Sequence, residues 1–283
     1  MTYTPILGGA PPIGFECQFN RAQITPISLG TTIIQMLAND GSGEVISHAS
    51  GFFWRHEGRI FLVSARHVLS GRNPFTNELM SPDGFIPHRL RVFPTIEAAP
   101  SYWQRWQLEG DLYTDGEPEW LDDPQFDELR TDIAAVEMSA PPDGNTLRCM
   151  NDNDGLESPL FSMVGFECSI VGYPQAAIGG MMTPVWRRAT IASEPSLPVD
   201  GKPMFLLDAS TSPGFSGAPV FRRHIGPAPL IDNDSDEITI DLDAVVRTSF
   251  VGIYAGRLAH SHFGGEVPFV FYANRLPHIF GQL

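Results

Sequence analysis

The chain has 283 residues, of which 42% are hydrophobic and 18% are charged, a globular composition rather than a disordered one. Its formal net charge of −15 argues against a nucleic-acid partner and against an anionic membrane surface, since both are bound through Lys and Arg. The 27 glycines and 25 prolines separate short apolar runs, which is typical of an all-β fold.

The N-terminal sequence MTYTPILGGAPPIGFE has neither a basic start nor an apolar core, so we expect no signal peptide. The most apolar region, residues 159–186, contains Pro159, Glu167, Pro174 and several glycines, and it does not match a membrane span. These features predict a cytoplasmic protein.

The three cysteines, Cys17, Cys149 and Cys168, are too few and too scattered for a disulfide framework. Their spacing matches no metal site. We therefore expect free thiols that are buried or half-buried, and neither a metal nor a cofactor.

Residues 1–27 are predicted to form an extended arm, and β-branched and aromatic runs then predict strands. A hairpin followed by a short helical turn is expected over 50–69, and a polar linker over 141–155. The other strands predicted in the first half are 31–37, 89–94 and 131–138. Those of the second half are 167–174, 183–192, 203–209, 218–221, 236–242, 246–256 and 267–273, followed by a short helix.

Two groups of about six strands predict two packed six-stranded antiparallel β-barrels with a short C-terminal helix. We expect one domain, 1–283. Its parts are the arm 1–27, a first barrel over about 28–140 with an acidic insertion at 97–131, a second barrel over about 156–275, and a tail at 274–283.

The stretch STSPGFSGAPVF, residues 210–221, is either a plain turn into a strand or the site of a nucleophilic serine. Serine catalysis requires a base, a carboxylate that orients the base, and donors for the oxyanion. In this stretch, Gly214 permits an unusual backbone conformation, so the N–H groups of Gly214 and Ser216 can form an oxyanion hole. Gly217 leaves room for the substrate carbonyl.

His67, directly after the apolar run FLVSA, is the candidate base, although a structural role is the ordinary one for a histidine. Asp132, at the start of IAAVEM, is the candidate carboxylate, and a plain strand-start Asp is an equal alternative. A buried Asp is costly unless hydrogen-bonded, and an imidazole N–H satisfies it.

In the order His, Asp, Ser, the motifs SARHVL, TDIAAVEM and PGFSGAPV resemble those of the trypsin-like (chymotrypsin-fold) serine peptidases, in particular the bacterial, HtrA-like branch. The stretches VGYP and VGIYAG add to the resemblance, which spans about residues 30–275. It implies that Ser216 attacks the scissile carbonyl, that His67 is base and then acid, and that Asp132 holds the imidazole.

The chain departs from pancreatic members of that family, in which an Asp precedes the serine and pairs with a newly cut N-terminus. Here Phe215 precedes Ser216 and the chain starts with Met1, so we expect no zymogen activation by that route. Ser210, where trypsin has its specificity Asp, argues against a Lys or Arg preference. The expected pocket wall is Ala255, Gly256 and Arg257. Arg257 with His260 and His262 either favours an acidic substrate side chain or forms a solvated basic rim, so apolar and acidic preferences are both open.

Two other features have competing interpretations. Residues 232–243 place Asp at several calcium-loop positions but lack the central Gly, so a solvated acidic hairpin is favoured over a calcium site. The tryptophans of the 97–131 insertion either form a partner surface or, as is more usual, anchor the insertion to the barrel.

The sequence thus predicts a serine endopeptidase acting on polypeptides, and it is compatible with a protein activator as a partner. The alternative is a regulated or non-turnover peptide-binding module on the same fold. An α/β-hydrolase is disfavoured, because that class has Gly-x-Ser-x-Gly and the order Ser, Asp, His, whereas Ala218 occupies the last position here.

Overall fold

The computed structural model describes residues 8–9, 15–18, 24–99, 102–139, 145–152, 156, 160–177, 179, 182–231, 238–242, 246–260 and 265–283. The expected arm at 1–27 and the calcium-like stretch at 232–243 lie largely outside the described residues. The linker expected at 141–155 is described only in part.

The first half of the chain forms two antiparallel sheets and a small hairpin. Its described strands are β1 (Gly8–Gly9), β2 (Phe15–Gln18), β3 (Thr31–Leu37), β4 (Val45–His56), β5 (Arg59–Ser64), β6 (Arg89–Val92), β7 (Thr95–Ala99), β8 (Tyr102–Arg105), β9 (Leu108–Asp111), β10 (Tyr113–Thr114), β11 (Glu117–Pro118), β12 (Trp120–Asp122), β13 (Ala134–Met138) and β14 (Thr146–Leu147). A curled eight-stranded sheet has the order β1-β9-β6-β3-β4-β5-β13-β12, and a smaller sheet has the order β14-β7-β8-β2.

The second half forms a closed barrel with the strand order β15-β16-β17-β22-β21-β18, and β19 and β20 pair as a separate hairpin. The strands are β15 (Glu167–Gly172), β16 (Val185–Ile191), β17 (Met204–Asp208), β18 (Pro219–Ile225), β19 (Ala228–Ile231), β20 (Ile238–Asp241), β21 (Val246–His260) and β22 (Gly265–Tyr272). The predicted all-β fold is confirmed. The first half differs in detail, because its curled sheet takes in β9 and β12 from the segment expected to be an insertion.

The helices are all short. They are α1 (Pro26–Gly30), α2 (Arg66–Ser70), α3 (Phe126–Leu129) and the expected C-terminal α4 (Leu276–Phe280), with 3₁₀ turns at Met150–Asp152, Pro174–Ala176 and Ala273–Arg275. In the described parts of the chain, no helix has the length and apolar character needed to cross a membrane. The chain is therefore organised around its sheets.

Strand periodicity divides the apolar side chains among three clusters. Successive side chains on a strand point to opposite faces, so Phe53 enters the core of the first half while Phe52 belongs to a cluster shared by both halves. On β18, Val220 enters the barrel core and Phe221 joins the shared cluster. Phe250 lies 5.6 Å from Phe52, ring centre to ring centre, so aromatic packing joins the halves.

The tryptophans of the 97–131 segment are buried. Trp103, Trp106 and Trp120 are all less than a tenth exposed, and Trp106 and Trp120 belong to the core of the first half. This agrees with the anchoring interpretation and leaves them no free surface for a partner.

Candidate active site

The end of β5 positions His67. Four buried residues lead to Ser64, Ala65 stays extended, and α2 begins at Arg66. After one helical turn, Gly71 adopts the left-handed conformation (φ 67°) and donates its N–H to the carbonyl of His67 at 2.9 Å. The short helix therefore holds the imidazole close to the end of a buried strand, with its side chain 13% exposed.

Asp132 lies two residues before β13, which pairs with β5 so that Ala134 is opposite Ser64. This register brings Asp132 beside His67. One carboxylate oxygen accepts the backbone N–H of His67 at 2.8 Å, and the other lies 2.6 Å from its Nδ1. Because a carboxylate only accepts, Nδ1 carries the proton and Nε2 is left with a free lone pair.

Two opposing effects act on the pKa of His67. Burial lowers the pKa of the imidazole, but the charge of Asp132 and its hydrogen bond outweigh burial, so the pKa of His67 is raised above its usual value. The Asp132 side chain is only 1% exposed, and the imidazole N–H and the backbone N–H satisfy it. The pair therefore stabilises the imidazolium form of His67.

The loop between β17 and β18, residues 209–218, is called the serine loop below. It carries two glycines with positive φ, Gly214 at 103° and Gly217 at 82°. A Cβ on Gly214 would lie 2.9 Å from the backbone nitrogen of Gln175 and would meet the carbonyl of Tyr173. A Cβ on Gly217 would collide with the Ser64 hydroxyl. Both the backbone conformation and the close packing thus require glycine here.

The hydrogen bonds of this loop leave several amides unused, among them those of Gly214 and Ser216. The Ser216 carbonyl accepts the N–H of Ser50 at 2.9 Å, and the Gly217 N–H donates to the Tyr254 carbonyl at 2.8 Å. For the N–H groups of Gly214 and Ser216, no acceptor lies among the described residues. Neither amide is used within the described fold, and Gly214 itself is buried.

Ser216, His67 and Asp132 line one cleft of about 430 Å³. The predicted wall residues Ala255, Gly256 and Arg257 line it as well, whereas Ser210 is exposed and is not part of the lining. Among the contacts of the described residues, no hydrogen bond joins the Ser216 hydroxyl to His67. The other lining residues are Asn73, Pro74, Phe75, Met80, Ser212, Pro213, Tyr254, Leu258, Glu266 and Phe269.

The family model described as the trypsin-like peptidase domain matches residues 49–226, which is more than half of the chain. The chain belongs to the trypsin-like peptidase family. It is accordingly a serine protease. No curated protein sequence matches the chain.

Two solved structures of proteases are similar to this trypsin-like peptidase. The active form of the Rv3671c protease from M. tuberculosis is 16% identical, with a TM-score of 0.43, covering 99% of this chain and 91% of that chain. The thermostable serine protease AL20 from an extremophilic microorganism is 14% identical, with a TM-score of 0.49, covering 91% of this chain and 98% of that chain.

In this trypsin-like peptidase, Phe215 occupies the position before the serine and is buried in the barrel core. Its ring packs edge-on against Tyr254, with 6.2 Å between the ring centres. The position is thus held by apolar packing and not by an ion pair. That activation does not use a newly cut N-terminus stays a prediction.

Ser50 is a site residue that sequence reasoning missed. Its hydroxyl donates to the Gly214 carbonyl at 2.7 Å and accepts the Tyr173 N–H at 2.9 Å, so it joins β4, the residue after β15 and the serine loop. The only signal in the sequence is a small polar residue beside the apolar run GFFW. That signal does not distinguish Ser50 from other buried serines, such as Ser64.

Arg257, left open as an anion-binding residue, forms an ion pair with Glu266 at 2.7 Å. The side chain of His260 and the whole of His262 lie outside the described residues. The pair means that Arg257 does not present an uncompensated positive charge to the cleft.

The described thiols do not compete with Ser216 as nucleophiles. Cys149 and Cys168 are free and buried, and burial raises the pKa of each thiol to about 12. The side chain of Cys17 lies outside the described residues. In the described part of the chain, no three His, Cys, Asp or Glu side chains come together to hold a metal ion.

Proposed function

We propose that the protein is a serine endopeptidase that forms an acyl-enzyme on Ser216. The observation that carries the proposal is the double contact of Asp132 with His67, which fixes the proton on Nδ1 and leaves Nε2 as the base. Nε2 takes the Ser216 hydroxyl proton as Oγ attacks the substrate carbonyl. The resulting imidazolium then protonates the leaving amine, and water, activated by His67, releases the acyl group.

The proposed oxyanion hole consists of the N–H groups of Gly214 and Ser216. Their lack of an acceptor among the described residues supports this role, as does the positive φ of Gly214. Donors fixed in advance stabilise the charge of the tetrahedral intermediate without reorganisation, and one such donor is worth about 10²–10³-fold in rate.

The edge of β21 supports binding of the substrate main chain. Pairing between β18 and β21 begins with Pro219 opposite Ile253, and Tyr254 bonds to the serine loop. Residues 255–258 follow Tyr254 on β21 and line the cleft. On the edge of β21 that faces β18, no strand of the described chain pairs with them. An extended peptide can pair with such an edge. Recognition of internal main chain is what an endopeptidase requires.

One observation favours a second candidate, a site that is held inactive until a partner binds. The described contacts contain no hydrogen bond between Ser216 and His67, although both line the cleft. Catalytic hydrogen bonds are often long before substrate binds, so this geometry is compatible with both proposals. A partner that brings Ser216 and His67 into hydrogen-bond distance would act as the activator.

Labelling by a fluorophosphonate probe tests the proposal. We expect the purified protein to be labelled, with labelling abolished in Ser216→Ala and strongly reduced in His67→Ala. Ser196→Ala is the matched control, since Ser196 is exposed and lies outside the cleft. Labelling that persists in Ser216→Ala would refute the assignment. Labelling that requires an added partner protein would support the regulated site.

A further inference from the structure

An apolar surface borders the proposed nucleophile. Phe75 and Met80, from the segment after α2, share the cleft with Leu258 of β21 and Phe269 of β22. The rings of Phe75 and Phe269 lie 5.9 Å apart at an angle of 45°. His67 and Ser216 line the same cleft, so this apolar surface is continuous with the proposed catalytic site.

The segment that carries Phe75 is held in place by its own hydrogen bonds. The Asn73 side chain accepts the backbone N–H of Phe75 at 2.8 Å and that of Thr76 at 3.2 Å. The Met80 N–H donates to the Gly71 carbonyl at 2.8 Å, which closes the segment onto the end of α2. The backbone that carries Phe75 and Met80 is therefore fixed before a substrate arrives.

The charged side chains that line the cleft are already paired. Asp132 bonds to His67, and Arg257 lies 2.7 Å from Glu266 across β21 and β22. Lys202 contacts the Phe75 ring at 5.4 Å but is not among the lining residues. A charged substrate side chain entering the cleft would lose water without gaining an unpaired counter-charge.

We propose that the cleft selects a large apolar substrate side chain, aromatic or long aliphatic, within a few residues of the scissile bond. The Phe75–Met80 segment, with Leu258 and Phe269, is the specificity determinant, and the Arg257–Glu266 pair disfavours both acidic and basic side chains. This inference rests on the proposed endopeptidase function and settles its substrate class in favour of the apolar alternative.

Cleavage of a pool of synthetic peptides of defined sequence tests the inference. We expect one position near the cleaved bond at which Phe, Leu or Met exceeds Ala by about 10- to 100-fold in kcat/KM. Asp, Glu, Lys and Arg at that position should be cleaved no better than Ala. A preference for any charged residue in the wild-type protein would overturn the inference.

Substitutions in the segment assign the preference to these residues. Phe75→Ala should reduce the ratio of kcat/KM for the Leu peptide over the Ala peptide by about tenfold. Phe75 is partly buried, so its loss also affects packing, and Met80→Ala is therefore the second variant. Met80 is 52% exposed and buries less apolar area, so we expect the same kcat/KM ratio to fall by about threefold. The matched control is Leu79→Ala, an exposed neighbour outside the lining, which should leave the ratio unchanged.

The ion pair allows a reciprocal test. Glu266→Gln leaves Arg257 without its partner, so peptides with Glu at the selected position should gain about threefold to fivefold relative to Leu. Arg257→Gln should instead favour Lys at that position by a similar factor. If both variants change the profile in the same direction, the pair does not set the charge preference.

Fluorophosphonate labelling of the same samples separates the two proposals. Labelled protein that cleaves peptides without an apolar preference overturns the inference and leaves the endopeptidase proposal intact. A folded protein that neither labels nor cleaves overturns both proposals for the free protein and leaves the site that requires a partner.

Discussion

Asp132 raises the pKa of His67 and burial lowers it, and the balance between them determines how the proposed activity depends on pH. The base must be neutral, and the pKa of His67 is raised because Asp132 outweighs burial. We expect kcat/KM to fall as the pH decreases through a value above about 6.5, the ordinary value for His. A pH profile of peptide hydrolysis measures this directly.

The variant Asp132→Asn should change both the rate and the position of that profile. Without the carboxylate, burial alone acts on the pKa of His67 and lowers it, so the acid limb should move to lower pH. The kcat should fall by about 10⁴-fold, because the imidazole loses its required tautomer. Asp208→Asn, at an exposed position on β17, serves as the control. An acid limb that moves to higher pH would contradict the assignment of Asp132.

Gly217 is required for a reason beyond its backbone conformation. Gly201 has a similar positive φ, 71° against 82°, but a Cβ on Gly201 has open space while one on Gly217 meets Ser64 and the Ser50 carbonyl. We expect Gly217→Ala to lower the free energy of unfolding by about 1–3 kcal/mol more than Gly201→Ala. Urea denaturation gives both values, and equal losses would show that only the backbone conformation matters.

The candidate site could be predicted from the sequence where a residue type and its place in a strand pattern coincide. His67 follows an apolar run, Asp132 precedes one, and Ser216 lies among glycines. Phe75 and the Arg257–Glu266 pair could not be predicted, because their role depends on the register of β21 with β22 and on a loop closed by its own hydrogen bonds. A single sequence contains no signal for either.

At the scale of elements, Ser50 of β4 joins the serine loop to Tyr173, the residue that follows β15. The Ser50 hydroxyl bonds to the Gly214 carbonyl and to the Tyr173 N–H, and its backbone N–H bonds to the Ser216 carbonyl. Strand β4 belongs to the first half, whereas β15 and the loop belong to the second. The conformation of the proposed oxyanion hole therefore depends on how the two halves meet.

Replacement of Ser50 by Ala should loosen this junction. The Gly214 carbonyl and the Tyr173 N–H lose their partner, which costs about 1–3 kcal/mol in the free energy of unfolding. We also expect a lower kcat with little change in KM, because the proposed oxyanion donors are less well fixed. Ser47→Ala, at an exposed position on the same strand, is the control. If kcat is unchanged in a destabilised Ser50→Ala protein, Ser50 supports the fold and does not position the oxyanion donors.

The strands were largely predictable because most of them are short runs rich in β-branched and aromatic residues. The pattern TTIIQML predicts β3 with the observed ends, Thr31 and Leu37, and the strands predicted in the second half agree to within a few residues except at the far ends of β18 and β21. Strand β19 is not predicted by the sequence. The 97–131 segment was less predictable, since β9 and β12 are only three or four residues long. Such short strands are defined by their neighbours in the sheet and not by their own periodicity.

At the scale of the whole molecule, the halves share one apolar cluster, which includes Phe52 and Phe61 from the first half and Phe271 and Phe280 from the second. Phe280 of α4 lies 4.8 Å from Phe61 of β5, ring centre to ring centre. The C-terminal segment of the chain is thus packed on the first half. We expect the chain to unfold in one transition, as the prediction of a single domain requires, with circular dichroism and tryptophan fluorescence giving the same midpoint.

A buried ion pair reinforces this contact. Arg275, just before α4, donates two hydrogen bonds to Asp123 of the first half, at 2.6 and 2.8 Å. Burial raises the pKa of Asp123, but its hydrogen bonds and the charge of Arg275 outweigh burial, so the pKa of Asp123 is lowered. The stabilisation is present above the ordinary carboxyl pKa of about 3.9 and is lost as the pH falls through the lower folded-state value.

Arg275→Met should therefore destabilise the protein in a pH-dependent way. At neutral pH it leaves the Asp123 carboxylate buried without its cation, which costs about 3–5 kcal/mol in the free energy of unfolding. Without Arg275, burial raises the pKa of Asp123, so the carboxylate takes up a proton more easily and the difference from wild type should narrow as the pH falls towards 4. The double variant Asp123→Leu/Arg275→Met should regain part of the loss, since no unpaired charge remains. Urea denaturation at pH 7 and pH 4.5 measures each difference, and a loss that is the same at both pH values would show that packing, and not the ion pair, joins the C-terminal segment to the first half.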